Sequence, residues 1–227
     1  AILLLTLVNC AGVALGGAVQ SLLTLIKISA IVALAMLVFR SGHGDWSHFA
    51  QPLPSPDSMS GREWIGHMGA ALAAALWAFD GWNNLTLVGA EIRNPHRTIP
   101  RVLVLGVLGV AVVYLLANLT YFYALPFDAV RNSERVAQDV ATAILGQRGG
   151  DALTLAALIS TSAALNGSIL SGARVFFAMS KDGLLLRPLS RLHPVHHTPV
   201  AALIVQALLA CTLILIFGHD REALERI

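Results

Sequence analysis

Apolar residues run along this chain in long blocks, and short polar runs divide them. About 20 apolar residues in a helix cover the roughly 30 Å hydrocarbon core of a bilayer, so blocks of this length predict membrane-spanning helices. Six are expected, at about 1–15, 21–39, 64–91, 102–125, 152–180 and 198–218. The first 39 residues are too long for one span. The division is placed within Gly12-Val13-Ala14-Leu15-Gly16-Gly17-Ala18-Val19-Gln20, where three glycines and a glutamine weaken a helix. The third block is interrupted by Asp80-Gly81-Trp82-Asn83-Asn84. The expected fold class is all-α: a polytopic membrane protein with 1–227 as one transmembrane domain.

Composition agrees with the pattern. Hydrophobic residues make up 56% and charged residues 12%, about half the usual charge of a soluble domain, and mean hydropathy is +0.71. A soluble globular domain, a disordered tail and a nucleic-acid binder are excluded on these grounds. A net charge of +2 offers no basic patch. The opening Ala-Ile-Leu-Leu-Leu has no Met and no positive flank, unlike a signal peptide; it reads as the interior of a helix, so the sequence is expected to be a fragment. Cys10 and Cys211 both sit in apolar blocks and read as small buried hydrophobes.

The connecting segments set an orientation. Segments 91–101 and 174–197 carry seven Lys/Arg in 35 residues, whereas 40–63 and 126–151 carry five in 50. Cytoplasmic loops are the ones enriched in Lys and Arg, so 91–101 and 174–197 are expected to face the cytoplasm. The third and fifth spans then run inward, and the second, fourth and sixth run outward.

Polar residues inside apolar spans are functional candidates by default. Lys27 lies roughly 9 Å into the second span if that helix starts near Ser21. Snorkelling to the near interface and a buried role both fit. Asp80 sits near mid-span beside Gly81, Trp82, Asn83 and Asn84, a run of weak helix formers. Unwound backbone in a membrane is tolerated where it lines a protein or water cavity, and broken mid-membrane helices hold substrates in secondary transporters. A straight helix with a polar packing patch is the alternative. In the fifth span Ser160, Thr161, Ser162, Asn166, Ser168 and Ser171 interrupt an apolar helix. Thr161 and Ser168 are seven apart and share a face; small and hydroxyl residues also serve plain helix packing. Asn118 and Thr120 read as structural. His193, His196 and His197 lack Cys or carboxylate partners at ligand spacing and read as a solvated loop. No metal and no cofactor are expected.

Several blocks together resemble the amino acid/polyamine/organocation superfamily of permeases, with the L-type transporters and the bacterial serine/threonine exchangers as its nearest branches. Ala75 to Leu85 followed by Gly89 to Arg101 resembles helix 6 and its loop. Asn166 to Arg174 with Phe176 to Gly183 is similar to the end of helix 8, and Val8-Asn9 with Val19-Gln20 and Thr24 to Lys27 to helices 4 and 5. The resemblance covers essentially the whole chain in order. It implies helices 4 to 9 of a twelve-helix, LeuT-like inverted-repeat transporter with a broken helix 6, and it implies the orientation already given by the loop charges. It further implies that backbone carbonyls of Trp77, Ala78 and Asp80 meet the substrate's amino group, that Phe79 and Gly81 belong to the same break, that Trp77 is an aromatic gate and that Asn83 is a polar residue just past the break. Lys27 matches a lysine held in sodium-independent members where sodium-coupled relatives hold their ion, with Thr161 and Ser168 around it. Many members have glycine or another residue where this chain has Asp80.

The function expected is amino-acid transport across the plasma membrane by alternating access, as sodium-independent exchange or facilitation. The alternatives are a proton-coupled amino-acid or polyamine permease of the same fold and, from another class, an intramembrane hydrolase. The hydrolase fares poorly: an aspartyl protease needs two intramembrane carboxylates where the spans show one, and His67, the histidine that falls in a span, sits at its edge. A channel's repeated filter or charge ring is not visible. The expected partners are a small-molecule amino acid and the lipid bilayer, not nucleic acid; an accessory subunit is left open.

Overall fold

The computed structural model describes residues 1–50, 60–89 and 92–218. Asp57 in the segment 40–63, and Ala90 and Glu91 at the end of the third expected span, lie outside the described residues. The described chain is helical: α1 (Ile2–Cys10), α2 (Val13–Ser41), α3 (Gly61–Ala78), α4 (Asn84–Leu87), α5 (Pro95–Ala124), α6 (Phe127–Asn132), α7 (Val136–Leu145), α8 (Gln147–Lys181) and α9 (Val200–Phe217). Four of these, α2, α5, α8 and α9, are long and apolar enough to cross a membrane by length and composition. Helix α3 is less apolar, because Arg62, Glu63 and His67 occupy its first two turns.

Helix boundaries depart from the sequence reading in three places, each for a physical reason. The first division falls at Ala11–Gly12, so Gly16, Gly17 and Gln20 lie inside α2 rather than between two spans. Gly12 takes the turn with φ +144°, a conformation other residues rarely adopt. Gly16 stays helical because its missing side chain makes room: a Cβ there would run into the Asn9 carboxamide and sit 3.0 Å from Leu170. Helix α5 starts at Pro95, earlier than residue 102; proline is pre-set for a first helical position. The segment 126–151, expected as a loop, contains α6 and α7. Val136, Ala137, Val140, Ala141 and Ile144 repeat at three- and four-residue spacing, and that stripe packs inward with Val140 and Ala141 buried.

The chain divides into two compact units, one of Ala1–Ile26, Asn84–Pro95 and the chain from Leu158 onward, the other of Lys27–Asn83 and His96–Ala157. In the first, Leu5, Ile169, Ala173, Ala202 and Leu203 form the core, with Cys10, Leu165 and Phe176 against it. Small residues at these contacts let helices approach closely, the packing mode that holds helices together in lipid. The Thr198 hydroxyl donates to the Cys10 carbonyl at 3.1 Å and satisfies an end group of α1. Helix α8 ends in a Schellman motif: the Gly183 amide donates to Ser180 O at 3.2 Å and the Leu184 amide to Met179 O at 2.9 Å, with Gly183 at φ +80°. In the second unit, Leu34, Val38, Tyr123, Val140 and Ala141 form the core. Phe39, Trp46 and Tyr123 pack ring on ring beside it, with centroids 4.8–6.3 Å apart.

Candidate functional site

Helix α3 forms because Ala70-Ala71-Leu72-Ala73-Ala74-Ala75-Leu76 are strong helix formers. Its start is fixed by a capping box: the Glu63 amide donates to Ser60 Oγ at 3.3 Å, and the Ser60 amide donates to Glu63 Oε2 at 2.9 Å. The Ser60 amide, and then its hydroxyl, hold the exposed Glu63 carboxyl below its ordinary value. In the loop after α2, hydrogen bonds from the Ser47 hydroxyl and amide do the same for Asp45.

The helix stops at Ala78. Its last bonds tighten to three-residue spacing, Phe79 N to Leu76 O and Asp80 N to Trp77 O, both 3.1 Å. Gly81 then takes φ +100°, and the chain stays in turns through Asn83 before α4 begins. The expected interruption at Asp80–Asn84 is thus an unwound turn over Phe79–Asn83, with Asn84 opening the next helix. Tyr114 of α5 holds the broken end: its hydroxyl donates to the Ala78 carbonyl at 2.5 Å, and its ring meets Phe79 edge-on at 5.1 Å. Of the carbonyls expected to face a substrate, Ala78 therefore already accepts one hydrogen bond from Tyr114 and Trp77 one from the Asp80 amide. A carbonyl has two lone pairs, so a single hydrogen bond does not by itself exhaust either acceptor. Trp77 is 85% exposed, Asp80 and Asn83 are exposed, and Phe79 and Gly81 are half-buried. Asn83 is itself engaged in an interaction.

Lys27 is half-buried. Helix α2 runs from Val13 to Ser41, so Lys27 is its middle residue and stands about 21 Å from its start. The helix start near Ser21 that gives about 9 Å is not observed: the helix begins eight residues earlier. Thr161 and Ser168 lie in the other unit from Lys27. The Ser168 hydroxyl donates to Ala164 O at 3.2 Å, its carbonyl accepts from Gln206 Nε2 at 3.3 Å, and Thr161 is also engaged. Of the polar residues read as structural, Thr120 donates to Leu116 O and Asn118 to Tyr114 O. His193 Nδ1 accepts the Val195 and His196 amides at 3.3 and 3.2 Å, and the His193 and His196 rings stack at 4.9 Å. Among the described residues no three His, Cys, Asp or Glu side chains gather to hold a metal.

One polar assembly was not assigned a role from sequence. Asn166 of α8, fully buried, donates to Gln20 Oε1 at 3.0 Å and to Gly16 O at 3.3 Å, and its Oδ1 accepts from Asn9 Nδ2 at 2.8 Å. Asn9 Nδ2 also donates to Leu5 O at 2.8 Å. Three carboxamides thus join α1, α2 and α8 within the first unit. The signal was present: Asn9, Gln20 and Asn166 are isolated amides in apolar segments, and a buried amide must find partners.

Comparison with known proteins adds an independent line. The profile of the amino acid permease family matches residues 1–226. The serine/threonine exchanger SteT of Bacillus subtilis (strain 168) is 33% identical over 224 residues, covering 97% of this chain and 49% of that protein. The b(0,+)-type amino acid transporter 1 of Mus musculus is 32% identical over 212 residues, covering 92% of this chain and 42% of the relative. The large neutral amino acids transporter small subunit 2 of Oryctolagus cuniculus is 28% identical over 226 residues, 98% of this chain and 41% of the relative. The chain therefore spans about half the length, or less, of these relatives. A family profile that fits all but the last residue, on a chain with four helices long and apolar enough to cross a membrane among its described residues, makes this chain a multi-pass membrane protein of the amino acid permease family.

Proposed function

We propose that the protein carries amino acids across the cell membrane by alternating access, as sodium-independent exchange or facilitation. The observation that carries this reading is the unwound turn at Phe79–Asn83, which ends α3 after its alanine-rich second half and is held by the Tyr114 bond to the Ala78 carbonyl. Backbone left unpaired at membrane depth is stable only beside a cavity or protein, and such a turn offers carbonyls to a substrate ammonium. In this proposal Trp77, Ala78, Phe79, Asp80, Gly81 and Asn83 line this chain's part of the substrate site. Trp77 closes over it from outside, and Lys27 stands in for a coupling cation. A lysine ammonium carries the same single charge as sodium and brings three donors. Segments 91–101 and 174–197 face the cytoplasm. The relatives are named for exchange and transport, which supports a carrier over an intramembrane hydrolase. One relative is named a small subunit, which supports testing for an accessory subunit here as well.

A second reading, proton coupling, is favoured by one observation: Lys27 is an ionisable group at the midpoint of a 29-residue apolar helix. Uptake of amino acids by the full-length protein in proteoliposomes separates the readings. Full uptake with choline in place of sodium, insensitive to a pH gradient, supports the tethered cation. Loss of uptake in choline ends it, and strong stimulation by inward protons transfers the role of Lys27 to proton coupling.

A further inference from the structure

A cavity of about 280 Å³ opens beside the last two turns of α8. Arg174, Phe177, Ala178 and Lys181 line it at i, i+3, i+4 and i+7, one face of the helix. Asp182 follows, pinned next to the Schellman turn, and Leu87, the last residue of α4, and Val88 add an apolar wall. All these residues belong to one unit. Helix α8 has 35 residues, about 52 Å of helix, longer than a hydrocarbon core, and the charges Lys181 and Asp182 at its end suit headgroup height. Basic pockets between membrane helices are suited to lipid headgroups, but this one also has a carboxylate and an apolar wall. That combination selects among ligands. A free phosphate leaves the wall and Asp182 unused. A glycerol headgroup has no cation for Asp182, and a choline headgroup has no N–H to donate to it.

From this geometry we infer that the cavity is a site for an aminophospholipid, a phosphatidylethanolamine. Its phosphate lies against Lys181 and Arg174, its ammonium donates to Asp182, and an acyl chain runs along Leu87, Val88 and Phe177. The inference needs only a membrane protein and does not depend on the transported substrate. The test is native mass spectrometry of delipidated full-length protein, offered phosphatidylethanolamine, phosphatidylcholine or phosphatidylglycerol with identical acyl chains. Phosphatidylethanolamine is expected to be retained about tenfold better than either, the worth of roughly one charge-assisted hydrogen bond. Asp182→Asn removes the preference over phosphatidylcholine, and Lys181→Gln weakens retention of all three. Both positions are exposed, so an unchanged melting temperature is expected and certifies the folded state. Equal retention of the three lipids, retention unchanged in both variants, or displacement of the lipid by free amino acid would overturn the inference.

Discussion

At the scale of single residues, the carboxamide of Asn166 is the group on which most depends. It satisfies Gln20, Gly16 and Asn9 at once from a position with no exposure. Asn166→Leu keeps the bulk and removes the donor to Gln20 Oε1 and the second bond to the Gly16 carbonyl. It should lower the stability of the detergent-solubilised protein by about 1–3 kcal/mol, read as a fall in melting temperature; an unchanged melting curve would show the network to be dispensable. Glu63 gives a pH prediction. Its folded-state pKa lies below the free value of 4.5 because Ser60 donates to the carboxylate. The capping box is therefore fully present above pH 4.5 and is lost as pH falls through the lower folded value. The protection factor of the Ser60 amide, which donates to the carboxylate, should fall below pH 4.5, and Glu63→Gln should remove that dependence. Such pairs three residues apart are legible in sequence. The Asn9–Asn166 pair, 157 residues apart, is not, because nothing local reports which amide meets which.

At the scale of elements, the broken helix could be read in advance and its clamp could not. Five weak helix formers in a row after an alanine-rich stretch favour unwinding over the straight-helix alternative. Tyr114, by contrast, looks like any aromatic in an apolar helix until its hydroxyl is seen on the Ala78 carbonyl. The same contrast explains α1 and α2. Glycines suggested a break across Gly12–Gln20, yet only Gly12 turns the chain, while Gly16 serves a close contact inside the helix. Helix α7 was missed because length was the criterion, although its apolar stripe follows helical spacing. Two substitutions in full-length protein probe the break. Trp77→Ala removes a ring that is 85% exposed and so should leave expression intact, while lowering amino-acid uptake at least several-fold. Tyr114→Phe keeps the edge-on contact with Phe79 and loses only the bond to Ala78; it should raise the KM for uptake more than it changes the melting temperature. Unchanged kinetics in both variants would remove the turn from the substrate site.

At the scale of the whole molecule, the connectivity of the first unit has a consequence for biosynthesis. That unit gathers residues 1–26 with residues from 158 onward, and its amide network closes a separation of 146 residues between Gln20 and Asn166. Translation at about 5–20 residues per second puts roughly 7–30 s between the synthesis of those two side chains. Through that interval Asn9 and Gln20 have left the ribosome without the partner that satisfies them. The early helices are then a client for whatever surveys the membrane for unpaired polar groups. Nascent chains halted before α8 should turn over quickly, chains halted after α9 should persist, and Asn9→Leu with Gln20→Leu should lengthen the life of the short product while shortening that of the finished protein. Equal lifetimes for chains halted at either point would mean that the amides find interim partners, and that the order of synthesis places no demand on this sequence.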